Sequence, residues 1–389
     1  MKKGVIIRMN KYNISEYENQ EDFEILTDVN SSGNINNWKE YKIDSLDLSD
    51  TYKRIGYLKR AERVRDCGTD LYFKEYEDGT MKLHSANFCK VRLCPMCAWR
   101  RSKKIFGQVS AVMDSLVADA EHHYRFLFLT LTLENVPSDD LSNTIDGILY
   151  SFKKLTYRKE FKKSVKGWFR ALEVTYNIVR DDFHPHIHCI LVVPDYYFNT
   201  SEYYLSQKKW TEIWKDCLNV DYTPIVNVKA IKDLSGGNNL KKGVCEVSKY
   251  AVKPADILMK FELKVVKGNL CLVPTHTPAK NIKNRSIQQL KRAGDTVFFP
   301  ELAEKVVETL DNALHNRRLV AFGGIMKDLH KQLNLDDTLD GDLIHTGDDD
   351  EIRSDLAYII VKYRWNIGFM NYQRLFETNI SEVEKNNGK

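Results

Sequence analysis

No run of about 18 uncharged apolar residues occurs in this 389-residue chain. Its opening stretch, MKKGVIIRMNKYN, carries no apolar block of the secretory kind. The expectation is therefore a cytoplasmic protein that makes no use of a membrane. There is no internal repeat, which argues against a solenoid, and no helicase-type phosphate loop, which argues against a built-in nucleotide-driven motor. The eight cysteines are not scattered evenly as disulfide partners would be, and four of them gather at metal-like spacings. What is present is globular: 43% hydrophobic, 11% aromatic and 29% charged residues.

The net charge of +4 conceals an asymmetry. Residues 1–50 hold 10 acids against 6 bases, and residues 335–389 hold 12 acids against 6 bases, which leaves +14 on residues 51–334. A basic body between acidic ends fits a polyanionic partner, most simply nucleic acid.

Residues 1–50, rich in Asn, Ser, Glu and Asp, read as a flexible acidic arm. Residues 51–105 form a cysteine-rich segment with a basic flank, and in 106–275 strand-like and helix-like patterns alternate. YRFLFLTLTLENV reads as a strand, Leu141 to Lys163 as helix, and WFRALEVTYN with HPHIHCILVV as a hairpin turning at IVRDDF. A helix over 202–217, a strand at PIVNVKAI and a helix ending before Pro254 follow. That order predicts an α+β fold, a mainly antiparallel sheet with helices on one face. Residues 276–389 read as mostly helical, interrupted by an exposed acidic loop, DDTLDGDLIHTGDDDE.

Two stretches carry metal chemistry. Cys94-Pro-Met-Cys97 is a knuckle that brings two thiolates to one ion; Cys67 and Cys89 complete a tetrahedral zinc site, with His84 as a substitute ligand. Such an ion would stabilise a turn-rich segment that has little core of its own. The adjoining WRRSKK supplies Arg100, Arg101, Lys103 and Lys104, positive charge suited to phosphates. In HPHIHCILVV, strand alternation puts His184, His186 and His188 on one face, too many imidazoles for ordinary packing. The hairpin register sets Glu173 across from His186 or His188 on that same face. Two imidazoles and a carboxylate leave room for water and a phosphate oxygen, which suits Mg²⁺ or Mn²⁺ better than a closed structural zinc. Further on, CEVSKYAVKPAD, if helical, aligns Glu246, Tyr250 and Lys253 on one face. A tyrosine hydroxyl beside a cation and lysines can attack a phosphodiester, and the carboxylate a turn away can take a proton.

Taken together, FLTLTLEN, HPHIHCILVV and EVSKYAVK, in this order, resemble the three motifs of HUH endonucleases. They are most similar to the replication initiator (Rep) proteins of small rolling-circle plasmids of Gram-positive bacteria. CKVRLCPMCAWRRSKK and RRLVAFGGIMKDLHKQLNLDD also resemble segments of those initiators, so the likeness spans roughly residues 54–340. The resemblance implies a five-stranded antiparallel sheet as catalytic domain over 106–275 and a strand-specific nick at a plasmid origin, where the DNA is single-stranded or extruded as a hairpin. It makes His186 and His188 the metal pair, with Glu173 or His184 as third ligand. Tyr250 becomes the nucleophile, left joined to a 5′ phosphate as a free 3′ hydroxyl primes synthesis. Glu246 activates water for termination, Lys249 and Lys253 steady the phosphate charge, and the helicase and polymerase come from the host. A relaxase or single-strand transposase of the same class would share this chemistry. A zinc-containing DNA-binding regulator would bind without cutting.

Overall fold

Chain order in the structure, a computed structural model, runs β1 (Ile6–Arg8), α1 (Trp38–Arg54), α2 (Leu58–Asp66), β2 (Asp70–Tyr76), β3 (Met81–Ala86), α3 (Pro95–Val117) and β4 (Tyr124–Thr132). It continues through α4 (Leu141–Tyr157), α5 (Lys159–Ser164), β5 (Gly167–Asn177), β6 (Asp182–Pro194), α6 (Gln207–Leu218) and β7 (Val226–Ile231). Then come β8 (Lys260–Val266), β9 (Asn269–Pro274), β10 (Thr296–Phe298), α7 (Pro300–Leu314), β11 (Val320–Gly324), α8 (Ile325–Gln332), β12 (Tyr358–Asn366) and β13 (Asn371–Leu375). The structure describes residues 6–8, 24–30, 33–231, 244, 258–266, 269–274, 296–346 and 356–375. The chain divides into two units: Arg101–Ile257 with Lys305–Asp342, and Met1–Arg100 with Leu258–Glu304 and Leu343–Lys389.

The first of these units is built on a five-stranded sheet in the order β11-β5-β6-β4-β7, every neighbouring pair antiparallel. In β4, Leu127, Leu129 and Leu131 are buried, at most 2% exposed, and alternation puts them on one face. Helix α4 buries Ile145, Ile148, Phe152 and Leu155, and α6 buries Trp210, Ile213, Trp214 and Cys217, each set at three- and four-residue spacing. Each large side chain so buried contributes about 1.5–3 kcal/mol. Phe152 meets Trp168 of β5 edge to face at 5.0 Å, and the Trp214 indole donates to the carbonyl of Thr132 at 2.8 Å. Helix α6 starts where the Ser206 hydroxyl accepts from the Lys209 amide and ends at Asn219, whose φ of 58° is the left-handed stop a helix terminus favours.

The β5–β6 hairpin closes with the Asn177 side chain accepting from the amides of Val179 and Arg180 and with Asp181 at φ 57°. This turn fixes the register, so Glu173 stands opposite His186. A slip of one residue would carry Glu173 to the opposite face, where α4 packs on Trp168.

In the second unit, β13-β12-β2-β3 form an antiparallel sheet, and β1-β10-β8-β9 form another. Here three expectations give way. Residues 38–50 lie in α1 rather than in a flexible arm: Trp38, Leu48 and Tyr52 are at most 2% exposed, and the Trp38 indole donates to Asp28 at 2.7 Å. Among the described residues after 275, strands β10, β11, β12 and β13 stand beside helices α7 and α8, so that part is not mostly helical. Strand β12 buries Val361, Tyr363 and Trp365 in strict alternation. The sheet of the first unit also reaches past residue 275, because β11 pairs with β5. Gly323 makes that pairing possible, since a side chain there would collide with the Trp168 ring.

Candidate functional site

The His/Glu face is assembled by the three central strands. Across β6, His186 pairs with Glu173 on one side and Thr132 on the other, while His188 pairs with Ala171 and Thr130. Directly paired residues share a face, so Glu173, His186, His188, Thr130 and Thr132 all lie on the face opposite to the one α4 covers through Phe152 and Trp168. Glu173 Oε2 lies 3.1 Å from His188 Nε2 and 3.3 Å from His186 Nε2. All three residues are at most 8% exposed.

The outer nitrogens are held as well. His188 Nδ1 is 3.1 Å from the Thr130 hydroxyl, and His186 Nδ1 is 3.1 Å from the carbonyl of His184. A carbonyl only accepts, so His186 Nδ1 is the protonated nitrogen and Nε2 carries the lone pair in the neutral ring. That lone pair faces a carboxylate oxygen at 3.3 Å. Two electron-rich groups brought so close in a mostly buried place repel each other unless a cation or a proton sits between them. The donor set, two imidazole nitrogens and one carboxylate, fits a divalent ion with open positions. Phe128 stacks on His188 with ring centres 5.5 Å apart and limits its movement.

His184 shares the face but stands outside the trio that converges. Its Nδ1 is 2.9 Å from the Asn135 side-chain oxygen. Burial, then the neighbouring His186 and Arg180, hold its pKa below the usual histidine value. Its backbone carbonyl is the partner of His186 Nδ1. Thr130 and Asn135, in FLTLTLEN, escaped the reading of the sequence as supporting groups, although alternation along β4 already places Thr130 on the His face.

The cysteines gather as expected. Cys67 follows α2, Cys89 follows β3, and Cys94 and Cys97 flank the start of α3. Their four sulfurs lie within 4.8 Å of one another, with Cys67 to Cys97 at 3.5 Å and Cys89 to Cys97 at 3.7 Å. Those separations are too long for a disulfide and close to the roughly 3.8 Å edge of a tetrahedron with zinc–sulfur bonds of about 2.3 Å. Burial pushes the Cys67 thiol up. Burial opposes ionisation of Cys94 too, yet hydrogen bonds from Cys67, Cys89 and Cys97 hold it well below the usual thiol value. His84 is exposed on β3 and is not in the cluster, so four sulfurs form the donor set. Lys42, 1% exposed, donates to the carbonyls of Arg65 and Cys67 and to the Thr69 hydroxyl at 2.7–2.8 Å. Burial lowers its pKa to about 8 against the opposing pull of Cys67 and Cys94.

The basic flank is a correction. Arg100, Arg101 and Lys104 are at most 4% exposed and cannot meet a phosphate backbone. Arg100 donates to the carbonyls of Leu343 and Ile344, Arg101 to that of Leu339, and Lys104 to Asp336 and the carbonyl of Asp342. These cations satisfy the backbone of the acidic 336–344 stretch, which is accordingly not a wholly exposed loop: Thr338, Leu339 and Leu343 are buried. Only Lys103 of the four retains partial exposure. Tyr250, Glu246, Lys249 and Lys253 lie outside the described residues.

An α+β protein whose antiparallel sheet presents a cation-competent Glu/His/His trio, with a four-cysteine cluster in its other unit, is the class these features define. The family model described as "Replication protein" matches residues 80–372. Among curated relatives, the chain is 35% identical over 361 residues to "Protein rep" of Streptococcus pneumoniae serotype 2 (strain D39 / NCTC 7466), covering 92% of this chain and 98% of that one. It is 36% identical over 376 residues to "Protein rep" of Bacillus amyloliquefaciens, covering 92% and 99%. To "Protein rep" of Lactiplantibacillus plantarum it is 32% identical over 353 residues, covering 90% and 98%. No solved structure matches. The chain belongs to this family of replication proteins, the plasmid replication initiators, and its role is in plasmid replication. Among the described residues, no helix is long and apolar enough to cross a membrane.

Proposed function

We propose that the protein is an HUH-type nicking enzyme that opens rolling-circle replication by cutting one strand of the plasmid origin. The observation that carries this reading is the convergence of Glu173, His186 and His188 on one point of the sheet. Bound there, Mg²⁺ or Mn²⁺ would act as a Lewis acid on the scissile phosphate. The chain's own residues do the rest. Thr130 and the His184 carbonyl hold the two rings with Nε2 turned inward. The Tyr250 phenolic oxygen attacks phosphorus after passing its proton to solvent water, which returns one to the leaving oxygen. The P–O3′ bond breaks, and the leaving oxygen takes up a proton to become the 3′ hydroxyl primer. Lys249 and Lys253 balance the charge that builds on the phosphate, and Glu246 draws a proton from water for the terminating cleavage. Cys67, Cys89, Cys94 and Cys97 hold a structural Zn²⁺. A helicase and a polymerase come from the host.

The test is incubation with an origin oligonucleotide and Mn²⁺, followed by a denaturing gel. The expected result is a covalent protein–DNA band that is absent from Tyr250→Phe, with DNA binding by the variant nearly unchanged. Binding without any strand scission by the wild-type protein would instead favour a zinc-containing regulator.

A further inference from the structure

With Arg100, Arg101 and Lys104 committed to the 336–344 backbone, the positive charge of the basic body must meet DNA elsewhere. From Tyr150 to Lys166 the chain carries seven lysines or arginines against a single acid, Glu160. On α4, Tyr150, Lys153, Lys154 and Tyr157 fall at i, i+3, i+4 and i+7, one stripe along the helix. The opposite stripe holds the buried Ile145, Ile148, Phe152 and Leu155. Tyr150 and Tyr157 are each 63% exposed, on a helix whose apolar face is already covered.

Each ring carries a cation: Lys154 Nζ lies 5.3 Å from the Tyr150 ring centre and Lys162 Nζ lies 5.0 Å from that of Tyr157. The pattern continues where Lys163 Nζ stands 5.1 Å from the Tyr203 ring. The lysines are not all unclaimed, since Lys163 also pairs with Glu202 at 2.5 Å, but that pair is exposed and weak. This face lies on the side of the sheet away from the Glu/His trio. Helix α4 packs through Phe152 on Trp168 and under the Arg170 guanidinium, and both of those β5 positions alternate with Glu173.

We propose that the outer face of α4 and α5 is a second binding surface, for single-stranded DNA. Lysines answer the phosphates, and the tyrosine rings offer stacking platforms to unpaired bases. A duplex keeps its bases stacked within itself and has no use for such rings, which is why the single strand is the occupant. The ligand's identity as DNA rests on the replication reading above. The surface would hold the strand that an opened origin leaves unpaired, apart from the point of cleavage.

The experiment is fluorescence anisotropy of the full chain with an oligo-dT strand of about 30 nucleotides and with a duplex of equal length, over a salt series. The proteins compared are wild type, Tyr150→Ala/Tyr157→Ala and Lys153→Gln/Lys154→Gln/Lys162→Gln, with circular dichroism melts to confirm folding. Both variants should bind the single strand at least about tenfold more weakly than wild type. The lysine variant should also lower the salt slope by roughly 2, at about 0.7 per phosphate contact. Duplex affinity should fall far less in the tyrosine variant. Unchanged single-strand affinity in both variants, equal losses for single strand and duplex, or no single-strand binding by wild type would each overturn the proposal. No cleavage is needed for the readout, so failure of the nicking reading would show in the gel assay and not here.

Discussion

Glu173→Gln is expected to lower Mn²⁺-dependent cleavage by roughly 1,000-fold, equivalent to about 4 kcal/mol of transition-state stabilisation. The carboxylate supplies the only negative charge in the trio, and one of its oxygens is shared between both Nε2 atoms. The amide keeps the volume, so the hairpin register, set at the Asn177–Asp181 turn and by the buried strands, should survive. The variant should therefore melt within about 1 kcal/mol of wild type in the absence of metal, as isosteric replacement of a charge with no ion to serve costs little. Rates in single-turnover assays with an origin oligonucleotide check the first part, and urea melts check the second. Cleavage retained within tenfold of wild type would remove Glu173 from the site.

A comparable loss, this time of structure, is expected from Cys94→Ser or from stripping zinc with a strong chelator. Cys94 is fully buried, and its sulfur joins three others that come from separate elements. A structural zinc contributes on the order of 10 kcal/mol to folding, comparable to the whole stability of a typical domain. Without it, four thiols and the buried Lys42 ammonium share a small volume with no ion to organise them. Hydrogen exchange should then show amide protection lost across 58–100 and retained in the 167–194 hairpin, and metal analysis should find one zinc per wild-type chain. A chelated protein that keeps full protection at 58–100 would rule out a structural ion.

The hairpin and its trio could be read from the sequence because strand alternation and a short turn leave few registers, among them those that put Glu173 opposite His186 or His188. The cysteine cluster was similarly legible, since the Cys94–Cys97 knuckle limits where the other sulfurs can be. Long-range partners were not. Nothing local in RRLVAFGG says that it pairs with β5, although the glycine that admits Trp168 is there to be seen. YIIVKYRWN does alternate, but its strand character is plain only once β2 lies beside it. The opening 50 residues look polar on average, yet Trp38 and Leu48, with Tyr52 just beyond, are enough to anchor α1. WRRSKK misled for a related reason: charge in a sequence shows affinity for anions and not which anion, and here carbonyls and Asp336 of the same chain take that place.

Mn²⁺ titration followed by electron paramagnetic resonance tests the central claim most directly. One ion should bind per wild-type chain with its signal broadened by protein nitrogen, and His186→Ala/His188→Ala should bind none at the same concentration. Equal Mn²⁺ occupancy in that double variant would contradict the account.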